Sequence, residues 1–400
     1  MKTKRRFNKK NNLTKKTTNY YIIPSDVSFA AEAVSNNPTS TNMKRFVSKI
    51  TTNIKRTQKS FSPEINAKLK TMTRAPRSNI FSCGASTALK RTKTSGSMRI
   101  GVGSRKNNTH KCVSADSKSG QKALLRNFAS QKKIACNTLT MPAQRYANCW
   151  FNCMFAAFFV SDKGRKFMRA FRQTMIEGKL LDGTLIKPTK LRNALLLLNM
   201  AIEACYNTNT ELDLAINTNN IISGVYKSLP TSYENIKNIK ESGNPYYFYD
   251  DLITYLGGKS TNSPKMITLK NDIDVKNFFD GNMSWKSQPD IIVVQITDLD
   301  INNRALSKKY KNKPLQISNE TGITYKLDSV VIRNINGNHF SACVRCNKKE
   351  FVYDGAVLSQ LVSMNWSKLY NKNKLWNIQD SLSTWNFMNG YFLAFYYRIK

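Results

Sequence analysis

Gly337-Asn338-His339-Phe340-Ser341-Ala342-Cys343-Val344, followed beyond the polar turn Asn347-Lys348-Lys349 by Phe351-Val352-Tyr353-Asp354-Gly355, is the stretch that decides the fold. Two β-type runs split by a turn of Asn and Lys read as a hairpin. It places an imidazole at the start of one strand and a carboxylate at the end of its partner, where the two meet across the ladder. The chain has two histidines, and the other, His110, lies in a basic Ser-, Asn- and Lys-rich stretch. Far upstream, Asn148-Cys149-Trp150-Phe151-Asn152 opens an apolar segment that runs to Val160. Cysteine, histidine and aspartate on these elements point to a thiol hydrolase.

Outward from these two stretches, 149–160, 163–177 and 189–206 carry apolar residues at helical spacing. The last does so as Leu191, Ala194, Leu195, Leu198, Ala201, Ile202 and Cys205. A mixed region with Val225, Tyr226 and Leu229 follows, then a helix at 249–256. Strand-like runs occupy 265–269, 290–297, 325–335, 340–344, 350–353 and 391–398. Helices first and antiparallel strands afterwards predict an α+β protein of two lobes, a helical one and a β one, with the site in the cleft between them.

The chemistry asks for these positions. A cysteine in the first turn of a buried helix has unpaired N–H groups and the positive dipole end beside its sulfur, which favour thiolate over thiol. Cys149 is so placed, on a helix with Trp150, Phe151, Met154, Phe155, Phe158 and Phe159 that reads as a central, rigid element. His339 would pair with the sulfur and later protonate the leaving amine. Asp354, accepting from the other ring nitrogen, would fix the tautomer. Gln144 would add a side-chain N–H to the Cys149 backbone N–H as donors to the oxyanion. Asn152 reads as structural, tying helix to sheet through its amide, and Trp376 and Trp385 as core or cleft-wall aromatics. Cys343-x-x-Cys346 has the spacing of half a zinc site, but no second pair accompanies it and a metal on Cys149 would consume the nucleophile. Cys343 is therefore expected buried in its strand, Cys346 exposed in the turn, and neither metal nor cofactor is expected.

Charge divides the chain. Of 63 Lys and Arg against 25 Asp and Glu, residues 1–140 hold 30 against four, a net +26 of the total +38. Residues 1–138 are thick with Lys, Asn, Thr and Ser and predict a mostly disordered basic tail, with short transient helices around 27–34 and 121–135. Residues 139–400 form the expected catalytic domain. Dense Lys and Arg without interleaved aromatics suit sequence-independent, salt-sensitive contact with nucleic acid. Lys4-Arg5-Arg6 equally fits a nuclear-import signal, or the run a solvated spacer. The N-terminus lacks the apolar core of a secretory signal, and no apolar run reaches the roughly 20 residues a membrane span needs. Eight cysteines scattered over 400 residues argue against a disulfide framework and for a reducing intracellular setting, cytoplasmic or nuclear.

The same residues resemble a known family, the papain-like ubiquitin-specific proteases. Cys149-Trp150-Phe151-Asn152-Cys153 fits the second half of that family's cysteine box. Tyr325 to Val331, then Asn338-His339-Phe340-Ser341-Ala342 and Phe351-Val352-Tyr353-Asp354, follow its histidine box, and Tyr391-Phe392-Leu393-Ala394-Phe395-Tyr396-Tyr397-Arg398 its closing strand. The resemblance spans about 260 residues. It implies Cys149 as nucleophile, His339 as base, Asp354 as its orienter and Gln144 in the place of the oxyanion Asn. It further implies cleavage after a small C-terminal residue of ubiquitin, a ubiquitin-like protein or a polyprotein. The chain departs from the pattern at Tyr146 (glycine in the family), Asn148 (threonine), Cys153 (serine) and Asn338 (glycine), and is short for a zinc-bearing fingers insertion. A degenerate core behind a basic tail is similar in style to proteins of large DNA viruses, with packaging in a virion as the corollary. The competing reading is a non-enzymatic, nucleic-acid-associated structural protein whose papain-like core is inactive. The sequence leaves the oligomeric state open.

Overall fold

The computed structural model describes residues 81–82, 99–102, 111–129, 134–206, 218–233, 243, 245–260, 263–283, 288–296, 310, 312–335, 337, 339–379 and 381–399. The expectations for residues 1–80, the transient helix at 27–34 included, lie outside them.

Seven α-helices are seen among these residues: α1 Lys118–Ala129, α2 Cys149–Phe155, α3 Asp162–Glu177, α4 Thr189–Cys205, α5 Thr218–Tyr226, α6 Pro245–Gly257 and α7 Asp272–Phe279. The strands are β1 Phe81–Ser82, β2 Arg99–Val102, β3 Lys111–Ser114, β4 Met266–Leu269, β5 Ile291–Ile296, β6 Gln316–Ser318, β7 Thr324–Arg333, β8 Phe340–Cys346, β9 Lys349–Tyr353, β10 Val362–Ser363 and β11 Phe392–Arg398. β1, β2 and β3 make a small sheet, and the other eight a large one in the order β10-β9-β8-β7-β11-β5-β4, with β6 alongside β7. The mixed α+β expectation holds. One pairing differs from it: β4 and β5 run parallel, because α7 lies between them and supplies the crossover that parallel neighbours require.

Strand after strand is apolar on both sides because both faces of the large sheet are covered. Leu393, Phe395 and Tyr397 of β11 join the helical core with α2 to α6, while Phe392, Ala394 and Tyr396 join a second core with α7 and the aromatics Trp366, Tyr370, Trp376, Trp385 and Phe387. At the centre of the first core, α2 and the π-turn Ala156–Val160 that continues it are buried throughout. Trp150 packs 5.7 Å from Phe248, Phe151 4.8 Å from Phe248, and Phe158 5.5 Å from Phe395. Gly164, one turn into α3, allows the close return of the chain after the π-turn, since a Cβ there would lie 2.0 Å from the Ala157 carbonyl.

Two expectations are corrected. The tail boundary at 138 does not hold for the segment just before it: α1 buries Ala123, Leu124 and Phe128 against α3, with the Arg169 guanidinium 4.7 Å from the Phe128 ring. The short helix expected around 121–135 is thus present as α1, but packed rather than transient, its apolar face covered by the side chains of Arg169 and Arg172. Cys346 is buried, not exposed, and forms a disulfide with Cys136, 210 residues away. The expectation of no disulfide framework rested on scatter in sequence, which says nothing about the spatial neighbours of a strand end.

Candidate active site

The hairpin β8–β9 is in the register that its pattern demands, Ala342 opposite Tyr353 and Cys343 opposite Val352. That register brings His339, the residue before β8, to Asp354, the residue after β9. Their contact is His339 Nε2 to Asp354 Oδ1, 2.6 Å. The Cys149 sulfur is near enough to the imidazole to favour its protonated form. The backbone of His339 is clasped as well: its N–H donates to Asn334 Oδ1 (3.0 Å) and its carbonyl accepts from the Asn334 N–H (2.8 Å).

Cys149 is the first residue of α2, so its N–H has no intrahelical partner. It is 6 % exposed, with His339 at 7 % and Asp354 at 1 %, so all three groups are buried. Burial works against charge on His339, but the Asp354 carboxylate, by charge and hydrogen bond, and then the Cys149 sulfur outweigh it and raise the imidazole to about 10. Burial likewise works against the Asp354 charge, yet His339, the Ala356 N–H and the Ser381 hydroxyl hold the carboxyl below its ordinary value. Cys153, one turn beyond Cys149, has the opposite setting. Burial first, then Cys149, Asp354 and Cys343, push its thiol well up, and it is an inert core group.

The approach to α2 is a strap tied to the other side of the site. The Met141 N–H donates to the Ser359 carbonyl and the Gln144 N–H to the Gly355 carbonyl, each at 2.7 Å. The Tyr353 hydroxyl donates to the Pro142 carbonyl. Asn148 and Asn152 share Thr218: the Asn148 Nδ2 donates to Thr218 Oγ1 (2.9 Å), which donates to Asn152 Oδ1 (2.7 Å). Asn152 Nδ2 reaches the Ala143 carbonyl at 3.3 Å. Asn152 is structural as expected, but it ties α2 to the strap and α5 rather than to the sheet.

Gln144 is buried beside the site, its Nε2 donating to the Tyr146 carbonyl at 3.3 Å and its Oε1 without a hydrogen-bond partner. Tyr146 itself has φ 58° and a ring 60 % exposed. A left-handed backbone of this kind favours glycine. Trp385 is a buried wall of the base, 6.2 Å from the His339 ring and stacked at 5.1 Å on Trp376. Sequence reasoning missed Ser381, whose hydroxyl donates to Asp354 Oδ2 at 3.0 Å. A lone serine in a loop carries no pattern that could have found it.

Among the described residues no three His, Cys, Asp or Glu side chains gather as metal ligands would, and no helix is long and apolar enough to cross a membrane. Cys149 and Cys343 are free thiols, and Cys346 is taken by Cys136.

No family model matches this sequence, and no curated protein matches it. Solved structures do. A chain of the SAGA DUB module bound to monoubiquitin is similar with TM-score 0.43 and 10 % identity over 97 % of each chain. A chain of the same module bound to ubiquitin aldehyde is similar with TM-score 0.42 and 10 % identity, over 94 % of this chain and 95 % of that one. A third is an essential yeast splicing factor, TM-score 0.36 and 10 % identity over 76 % and 83 %. Likeness this distant leaves the function to be argued from the site.

Proposed function

We propose that this protein is a thiol-dependent hydrolase of peptide or isopeptide bonds on a papain-like, two-lobed core. The observation that supports this reading is the His339 Nε2–Asp354 Oδ1 contact at 2.6 Å between the two ends of one hairpin, with Cys149 at the first turn of a buried helix near enough to act on the imidazole. An imidazole raised to about 10 keeps its proton at neutral pH, and the proposed chemistry starts from that imidazolium beside the Cys149 sulfur. The sulfur attacks the carbonyl carbon, and the tetrahedral oxyanion takes the Cys149 N–H and the N–H of Gln144 not spent on Tyr146. His339 gives its proton to the leaving amine, releasing it and leaving a thioester. His339 then takes a proton from the water that hydrolyses this thioester, and the free sulfur returns. Asp354 keeps the imidazole oriented through both halves.

Ubiquitin, a ubiquitin-like protein or a polyprotein is the substrate class this reading offers, and the basic residues preceding α1 supply a sequence-independent contact to nucleic acid. The test is reaction with ubiquitin carrying a C-terminal vinyl methyl ester. A covalent adduct on Cys149, absent in Cys149→Ser, is expected. Labelling spread over several cysteines, or none on Cys149 while iodoacetamide also fails to favour it, would leave the non-enzymatic reading.

A further inference from the structure

Asp354 has two oxygens, and they are held differently. Oδ1 is shared between His339 Nε2 (2.6 Å) and the Ala356 N–H (2.9 Å). Oδ2 meets the hydroxyl of Ser381, 27 residues further on, at 3.0 Å. In a side chain 1 % exposed, an oxygen deprived of that donor is an unmet acceptor. The last torsion of an aspartate is broad, so a carboxylate tied at one oxygen only is free to swing off the imidazole.

The hydroxyl is not free to do anything else. Its oxygen accepts from the Ser383 N–H at 3.1 Å, which leaves its hydrogen to point at Asp354. The loop around it reaches the base by a second route: Asn334 Nδ2 donates to Ser383 Oγ (3.5 Å), and the Asn334 oxygen takes the His339 N–H (3.0 Å). The Ile335 N–H donates to the Thr384 carbonyl (3.0 Å), and Trp385 stands beside the imidazole. The ends of the loop are held without this hydroxyl, because Trp376 and Trp385 exchange backbone hydrogen bonds at 3.0 and 2.9 Å, and the Ser381 N–H donates to the Ile378 carbonyl.

We propose that Ser381 is a positioning residue of the site, contributed from outside both the strap with Cys149 and the hairpin with His339 and Asp354. The inference rests on the thiol-hydrolase reading. Ser381 touches no reacting atom; it keeps Asp354 facing His339, and through His339 sets how much of the Cys149 sulfur is reactive at low pH.

The experiment is the pH dependence of Cys149 alkylation by iodoacetamide, followed by mass spectrometry on the full chain, for the parent, Ser381→Ala, Ser381→Thr, Leu382→Ala and His339→Ala. Ser381→Ala is expected to move the low-pH limb of the profile up by about one pH unit, so that alkylation near pH 5.5 falls about tenfold. Ser381→Thr, which keeps the hydroxyl, should restore the parent profile. Leu382→Ala alters the 84 % exposed neighbour in the same loop and should leave the profile unmoved. Superposition of Ser381→Ala on the parent overturns the proposal, and so does an equal loss in the Ala and Thr variants, since the hydroxyl would then be irrelevant. A parent profile identical to that of His339→Ala is a different failure: the thiol and imidazole would not be a working pair, and the hydrolase reading falls with the inference.

Discussion

The hairpin and the strap reach the same site by opposite routes. His339 and Asp354 are 15 residues apart and meet because every rung between β8 and β9 puts them there. Cys149 is brought in by ties of long range: the Cys136–Cys346 disulfide, Asn347 Nδ2 to the Ile134 carbonyl (2.8 Å), Gln144 to Gly355, and Asn148 and Asn152 on Thr218. The imidazole–carboxylate pair is thus a local product of alternating sequence, whereas the place of Cys149 is a product of the whole fold. Damage to the first should change reactivity and spare the fold, and damage to the second should unsettle the fold.

The largest expected effect is on chemistry. His339→Ala should lower the rate of thioether formation with the ubiquitin vinyl methyl ester by about 10³-fold or more while the protein still melts cooperatively. It should also remove a pH dependence. His339 is raised from 6.5 to about 10 in the folded chain, so its stabilisation is complete below pH 6.5 and lost as pH rises through about 10. A parent Tm that falls over that range more steeply than the His339→Ala Tm is the sign to look for. Equal slopes would mean that the imidazole does not carry its proton in the native state.

Next comes the strap. Deleting residues 1–80 removes basic sequence and none of the described core, so the Tm should stay within about 2 °C. Deleting 1–138 removes α1 and Cys136 as well. Loss of a disulfide alone is typically worth about 2–5 kcal/mol, and with Phe128 and Leu124 gone the Tm should fall by roughly 10 °C or more. Similar melting of the two truncations would return α1 to the tail.

What could be read beforehand follows the same division. The strands β5, β7, β8, β9 and β11, the helices α3 and α4, and α2 taken together with its π-turn were legible within a residue or three because their patterns are periodic and long. The His339–Asp354 contact was legible because both residues flank one hairpin. The short helices α5 and α7 were not, since eight or nine residues give too few repeats of the period. Ser381, the Tyr353 to Pro142 bond and the Cys136–Cys346 pair were not legible either. Each joins segments from 27 to 211 residues apart, and no local pattern registers such a contact.

Gly355, where strap and hairpin touch, gives a smaller effect. A Cβ there would lie 2.6 Å from the Tyr353 hydroxyl and 3.2 Å from the Pro142 carbonyl. Gly355→Ala should therefore cost about 1–3 kcal/mol by chemical denaturation and slow Cys149 alkylation, because the displaced bond is the one that registers Asp354's hairpin against the strap. A stable but unreactive variant would show the junction acting on chemistry alone.

The smallest effect is at Tyr146, whose left-handed backbone belongs to the strap while its ring belongs to solvent. Replacing it mixes two changes, lost ring contacts and altered strain, and a pair of variants separates them. Tyr146→Ala removes the ring and keeps a Cβ at φ 58°; Tyr146→Gly removes both. A left-handed non-glycine residue carries roughly 1–2 kcal/mol of strain, and glycine's extra freedom in the unfolded chain offsets about 0.4–1 of it. Tyr146→Gly should thus exceed Tyr146→Ala by about 0.5–1 kcal/mol in denaturant titrations. An alanine variant as stable as the glycine one would mean that residue 146 leaves the left-handed region once its ring is gone, and that the strap is less fixed at the nucleophile than its hydrogen bonds to Gly355 and Asn148 require.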